Sequence, residues 1–116
     1  MKDWDQAVAY ACSLPEVAME SFYGKPCPKL NGKAILSPSH EKDTSFCLMV
    51  PMAEKEILIE TDPDTFWETA HYRGYPAVLV RYGSPSRDRI ELYIQRRWWD
   101  LAKKPQRVAA GMEKRP

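Results

Sequence analysis

Hydrophobic positions along the chain change their spacing at prolines and glycines, and each change marks an element. Trp4, Ala7, Val8, Ala11 and Leu14 recur at helical spacing behind Asp3, a plausible cap, which predicts a helix over residues 4–12. Pro15 ends it, because proline disfavours helical backbone at the residue before it. Four short runs of strand character follow: AMESFY, CPKL, AILS and SFCLMV. Asn31-Gly32 between the second and third is a two-residue hairpin signal, and Gly24 and the loop SPSHEKDT separate the others, so the runs predict an antiparallel meander. PMAEKEILIETDP predicts a second helix after Pro51, with Glu54 and Glu56 in its early turns and Pro63 beyond its end. DPDTFWETAHYRGYP reads as an irregular connection whose Phe66 and Trp67 plug the core, and AVLVRY as a central strand.

The last helix carries the most informative pattern, RIELYIQRRWWDLAKK, capped by Ser84 or Ser86. Helix neighbours are about 100° apart, so Trp98 and Trp99 cannot share a face. Ile90, Ile94, Trp98 and Leu101 form the apolar stripe, flanked by Tyr93 and Arg97. Trp99 falls opposite, among Leu92, Gln95, Arg96, Lys103 and, at the margin, Arg89, so the outer face is expected to hold an indole in a basic setting. From Pro105 the tail PQRVAAGMEKRP shows no periodicity and is expected to be frayed. The element order predicts an α+β single-domain two-layer sandwich, an antiparallel sheet with helices packed on one face, over residues 1–104, followed by the tail at 105–116.

Length and composition fit this picture. The chain has 116 residues, 44% of them hydrophobic, enough for one self-sufficient core. No apolar run reaches the roughly 20 residues that cross a bilayer, and the opening MKDWDQAVAYACSLPEV lacks the basic-then-apolar order of a signal peptide, so the expected location is cytoplasmic. Cys12, Cys27 and Cys47 form no C-x-x-C pair and sit beside no histidine at ligand spacing; they read as reduced, mostly buried small hydrophobes, with no metal and no cofactor expected. The net charge is only +1, but residues 1–70 hold six basic and twelve acidic side chains (−6), and residues 71–116 eleven and four (+7). Such asymmetry either marks an anion-binding face or is neutralised when the halves fold together.

Three segments, SLPEVAMESFYGKPCPKLNGKAIL, HYRGYPAVLVRY and the terminal helix ending WDLAKK, make the chain similar to the MmcQ/YjbR family of small bacterial proteins over residues 3–104. The resemblance implies a fold like that of frataxin-type CyaY proteins and DNA binding through a double-wing arrangement. Two features depart from the family pattern. Where the last helix usually ends in alanine, proline and lysine, this chain has Ala102, Lys103 and Lys104, and Trp99 doubles the aromatic there.

The chemistry in the sequence favours binding over catalysis. The serines lie in no nucleophile-elbow sequence and no glycine-rich phosphate loop is present, so the chain does not read as an enzyme. His71 beside Tyr72 and Arg73 has the residue types for acid–base work or phosphate holding; the plainer reading is a strand-end cap bonded to a carbonyl. For DNA, Arg89, Arg96 and Lys103 on the outer helix face and Lys25, Lys29, Lys33 and Arg73 at the turns are the expected phosphate contacts, with Trp99 stacking on a base. That binding is expected to be weak, largely independent of sequence and sensitive to salt. The competing expectation is a protein-interaction module, homodimeric through the Trp99 face.

Overall fold

The computed structural model describes residues 1–41 and 43–116; of the SPSHEKDT loop, residue 42 lies outside the described residues. The element order is α1 (Trp4–Cys12), β1 (Ala18–Phe22), β2 (Lys25–Leu30), β3 (Lys33–Ala34), β4 (Leu36–Pro38), β5 (Ser45–Met49), α2 (Met52–Thr61), β6 (Phe66–Trp67), β7 (Ala77–Arg81), α3 (Arg87–Leu101) and α4 (Lys104–Ala109). The Asp3 carboxylate accepts from Gln6 N at 2.9 Å and caps α1. At the β2–β3 turn Asn31 and Gly32 have φ of 53° and 82°, the left-handed pair that such a tight hairpin requires.

All strand pairs are antiparallel. They form a three-stranded sheet, β1-β2-β3, and a four-stranded sheet, β4-β5-β7-β6. Ile35, the one residue between β3 and β4, joins them: its N–H donates to Pro28 O at 2.9 Å and its carbonyl accepts from Met49 N at 3.3 Å. The run AILS is thus two strands that break at this residue. With a radius of gyration of 13.4 Å, the molecule has the dimension of one domain of this length.

Alternation along β5 and β7 separates two apolar layers. Phe46, Leu48, Val78 and Val80 face α1 and α3 in the main core, with Leu30, Ile35, Leu36, Ile90, Ile94 and Trp98. Cys47, Ala77 and Leu79 face the opposite side, where Met49, Trp67 and Tyr72 pack on them. Phe66 and Trp67 are therefore divided between the layers: Phe66 fills the main core, and Trp67, expected there too, lies on the second face beneath the Arg81 guanidinium, 4.2 Å from its ring centroid. Successive strand residues point to opposite faces, so only one of the pair has access to the core. No helix among the described residues is long and apolar enough to cross a membrane.

The segment after Pro105 departs from expectation. It is not frayed: α4 folds back over α3, and the Arg115 guanidinium beyond it meets Asp100 Oδ1 at 2.8 Å and Glu54 Oε2 at 2.8 Å. These two carboxylates, by hydrogen bonding, hold Arg115 well above the usual arginine range. Asn31 ties the β2–β3 turn to the same end of the molecule, donating from Nδ2 to Leu101 O at 2.9 Å and to Gln106 Oε1 at 2.8 Å.

Candidate functional site

Opposite the helices, the open face of the sheet carries a hollow of about 610 Å³, within the ordinary size range of ligand pockets. Its floor is built by Ser37, Cys47, Met49 and Ala77, which alternation turns away from the main core. One wall is the β1–β2 hairpin tip, Phe22, Tyr23 and Lys25; the other is the segment before β7, where His71 and Tyr72 sit in a single 3-10 turn at Ala70–Tyr72 and Tyr75 and Pro76 follow. His40 enters from the loop before β5 and meets His71 edge to face, ring centroids 4.3 Å apart. Tyr72 is 4.9 Å from His71 in the same manner.

The second wall is held from behind by Lys55, which is 2% exposed. Its ammonium donates to Tyr72 O at 2.8 Å and Tyr75 O at 3.0 Å and pairs with Glu68 Oε2 at 2.7 Å. Three N–H groups meet three acceptors, so the buried charge is fully satisfied and the backbone beneath Tyr72 and Tyr75 is fixed. The floor is neutral. Burial pushes the Cys47 thiol up to about 11, and burial also raises Tyr72. A thiol kept protonated is a packing and hydrogen-bonding group, and a poor nucleophile.

No family model, curated protein or solved structure matches the chain.

The residues singled out in the sequence fall into separate groups. Lys25 and Lys29 lie on the open face, because the register sets them opposite Phe22 and Ala18 on the side that Cys27 and Glu20 share. Lys29 Nζ lies 5.6 Å from the Phe22 ring centroid. Lys33, paired with Leu30, projects from the hairpin turn on the opposite side of the sheet, and Arg73 is exposed just past the 3-10 turn. Arg89 is half-buried, its guanidinium 5.9 Å from the Phe66 ring centroid. Lys103 is exposed at the start of α4.

The outer face of α3 is not the exposed basic surface that the helical period suggests. Trp99 lies off the buried stripe of Trp98 but is half-buried, packed at the margin of the main core and covered by α4: its indole N–H donates to Met112 O at 2.9 Å, and the Arg107 guanidinium stacks 3.5 Å from its ring centroid. Arg96 is engaged as well, pairing with Glu54 Oε1 at 2.9 Å and donating to Pro116 O at 2.7 Å. The basic second half is thus partly neutralised by an acid of the first, and Trp99 and Arg96, both half-buried, are engaged within the chain. His71 also differs from expectation, as an exposed wall residue of the hollow against His40.

Sequence reasoning missed His40, Tyr23, Tyr75 and Cys47 as site residues. The one signal for Tyr23 and Tyr75 was the density of rings in SFYGKP and HYRGYP, two segments that the fold brings to the same hollow; His40 and Cys47 lie in neither segment.

Proposed function

We propose that the chain binds nucleic acid, chiefly through its phosphates, on the open face of the sheet at the β1–β2 hairpin and not on the outer face of α3. The observation that supports this reading most directly is the placement of Lys25 and Lys29 on one hairpin face beside the hollow, with neither in an ion pair among the described residues. On this face of residues 18–33, Lys25 and Lys29 stand against Glu20 alone, a local charge of +1. Arg73, in the segment of the opposite wall but outside the hollow's lining, adds an exposed cation. The hairpin and the His71–Pro76 wall flank the hollow as two projections, an arrangement compatible with the double-wing mode that the MmcQ/YjbR resemblance implies. Few phosphate contacts mean modest affinity, and contacts to phosphate carry no base information.

The test is a titration of a fluorescently labelled oligonucleotide at several salt concentrations. Log affinity should fall linearly with log salt. Lys25→Ala with Lys29→Ala should make the slope shallower by roughly 1–2 units, whereas Arg96→Ala should leave it unchanged. A protein with no salt-sensitive binding at low ionic strength would overturn the reading.

A further inference from the structure

The hollow has chemistry that phosphate binding does not use. Among the described residues of its lining, Phe22, Tyr23, His40, His71, Tyr72 and Tyr75 carry rings, and none is a carboxylate. Tyr23 is 94% exposed and Tyr75 62% exposed, so two of the rings stand almost unpacked at the rim. Large aromatic side chains usually bury most of their area. Lys25 is the one lysine or arginine in the lining among the described residues. Below the rings, Ser37 and Tyr72 offer an aliphatic hydroxyl and a phenol, neutral groups that donate and accept hydrogen bonds.

We infer that the hollow takes an unpaired nucleobase of a single strand, stacked on the rim tyrosines with its polar edge toward Ser37 and Tyr72 and its phosphate at Lys25. This inference rests on the nucleic-acid reading above and names its substrate class. A neutral, flat, π-faced body satisfies the rings. A polar edge satisfies the floor. An anion attached to that body satisfies the cation at the rim and meets no carboxylate in the lining. A base within a duplex has both faces covered by its neighbours, so the rings stabilise only a base that is already unstacked. The preference for single strands therefore comes from the hollow, and the affinity common to both forms comes from the hairpin lysines.

The same base-plus-phosphate chemistry is available from a free nucleotide, and the experiment separates the two sources. Oligo-dT, a duplex of equal length and thymidine 5′-monophosphate are titrated against the wild type, Tyr75→Leu and Tyr23→Asn. Both substitutions are at exposed positions, and asparagine tolerates the left-handed backbone found at residue 23, where φ is 51°. The single strand should bind at least roughly 10-fold tighter than the duplex at the same salt, from the stacking of one or two bases. Either substitution should remove most of that preference while leaving duplex affinity unchanged. Equal affinities for strand and duplex, or a preference that survives both substitutions, would overturn the inference while leaving phosphate binding intact. A monophosphate that binds as tightly as the strand would also overturn it, making the hollow a free-nucleotide site. Loss of all binding, duplex included, would sink the underlying reading as well.

Discussion

Trp98 and Trp99, neighbours on α3, donate their indole N–H groups in opposite directions, to Pro15 O at 2.8 Å and to Met112 O at 2.9 Å. One ring closes the main core against the chain after α1, and the other closes a second, smaller contact against α4. Trp98 is 0% exposed, and Trp98→Ala should cost about 3–5 kcal/mol, as deletion of a large buried ring does. Trp99→Ala should cost about 2 kcal/mol, losing the stack with Arg107 and the bond to Met112. It should also release residues 104–110 to fast hydrogen exchange. A Trp99→Ala protein as stable as wild type by urea unfolding would show that α4 is not anchored there.

Lys55→Met keeps the stem but removes the charge that Glu68, Tyr72 O and Tyr75 O share. The expected loss is about 3 kcal/mol, typical of breaking a buried ion pair from one side. The change should also raise proteolytic cleavage within residues 68–76. Unaltered cleavage there would mean that the wall of the hollow stands without the lysine.

Stability should fall at alkaline pH, with a part traceable to Cys47. Its thiol is raised from 9.0 to about 11 in the fold, so the unfolded chain loses this proton first. The contribution is fully present below pH 9 and declines as pH rises through about 11, reaching about 2–3 kcal/mol for a shift of this size. Cys47→Ala should flatten the decline between those values in denaturant titrations. At neutral pH, half-buried Cys12 should react with a thiol reagent well before Cys27 and Cys47.

Tyr82 has a buried hydroxyl without a hydrogen-bond partner among the described residues, packed 5.7 Å from Phe46 between ring centroids. Burial, with Asp3 and Asp5 adding to it, pushes its phenol up to about 12. Tyr82→Phe should leave stability unchanged or raise it by up to about 1 kcal/mol, since an unsatisfied group is removed without loss of the ring. A clear drop in melting temperature would indicate that this hydroxyl does have a partner in solution.

Elements whose residues repeat often enough to show a period were legible in the sequence. The α3 stripe of Ile90, Ile94 and Trp98 is buried as its spacing indicates, and Asn31-Gly32 makes the expected turn. The direction of Trp99 was legible too; its cover was not. The six residues of α4 span too few turns to show an apolar stripe, and the helix is held by contacts that spacing does not encode, such as Arg115 with Glu54. The hollow was out of reach for a different reason. Its lining comes from four stretches around residues 22–25, 37–40, 47–49 and 71–77, and only strand register brings His40 to His71.

The position of β7 in the larger sheet has a consequence for biosynthesis. β5 and β6 are joined only through this strand, which is the last of the sheet to be made, and Gly83 just beyond it donates to the carbonyl of Met1 at 2.8 Å. A nascent chain therefore emerges with Phe46 and Leu48 uncovered and one edge of β5 unpaired until residues 77–81 clear the ribosome. Pairing at such sequence separation is slow, and an open apolar edge recruits neighbouring chains meanwhile. Chains stopped before β7 should aggregate, whereas the finished protein has already covered that edge.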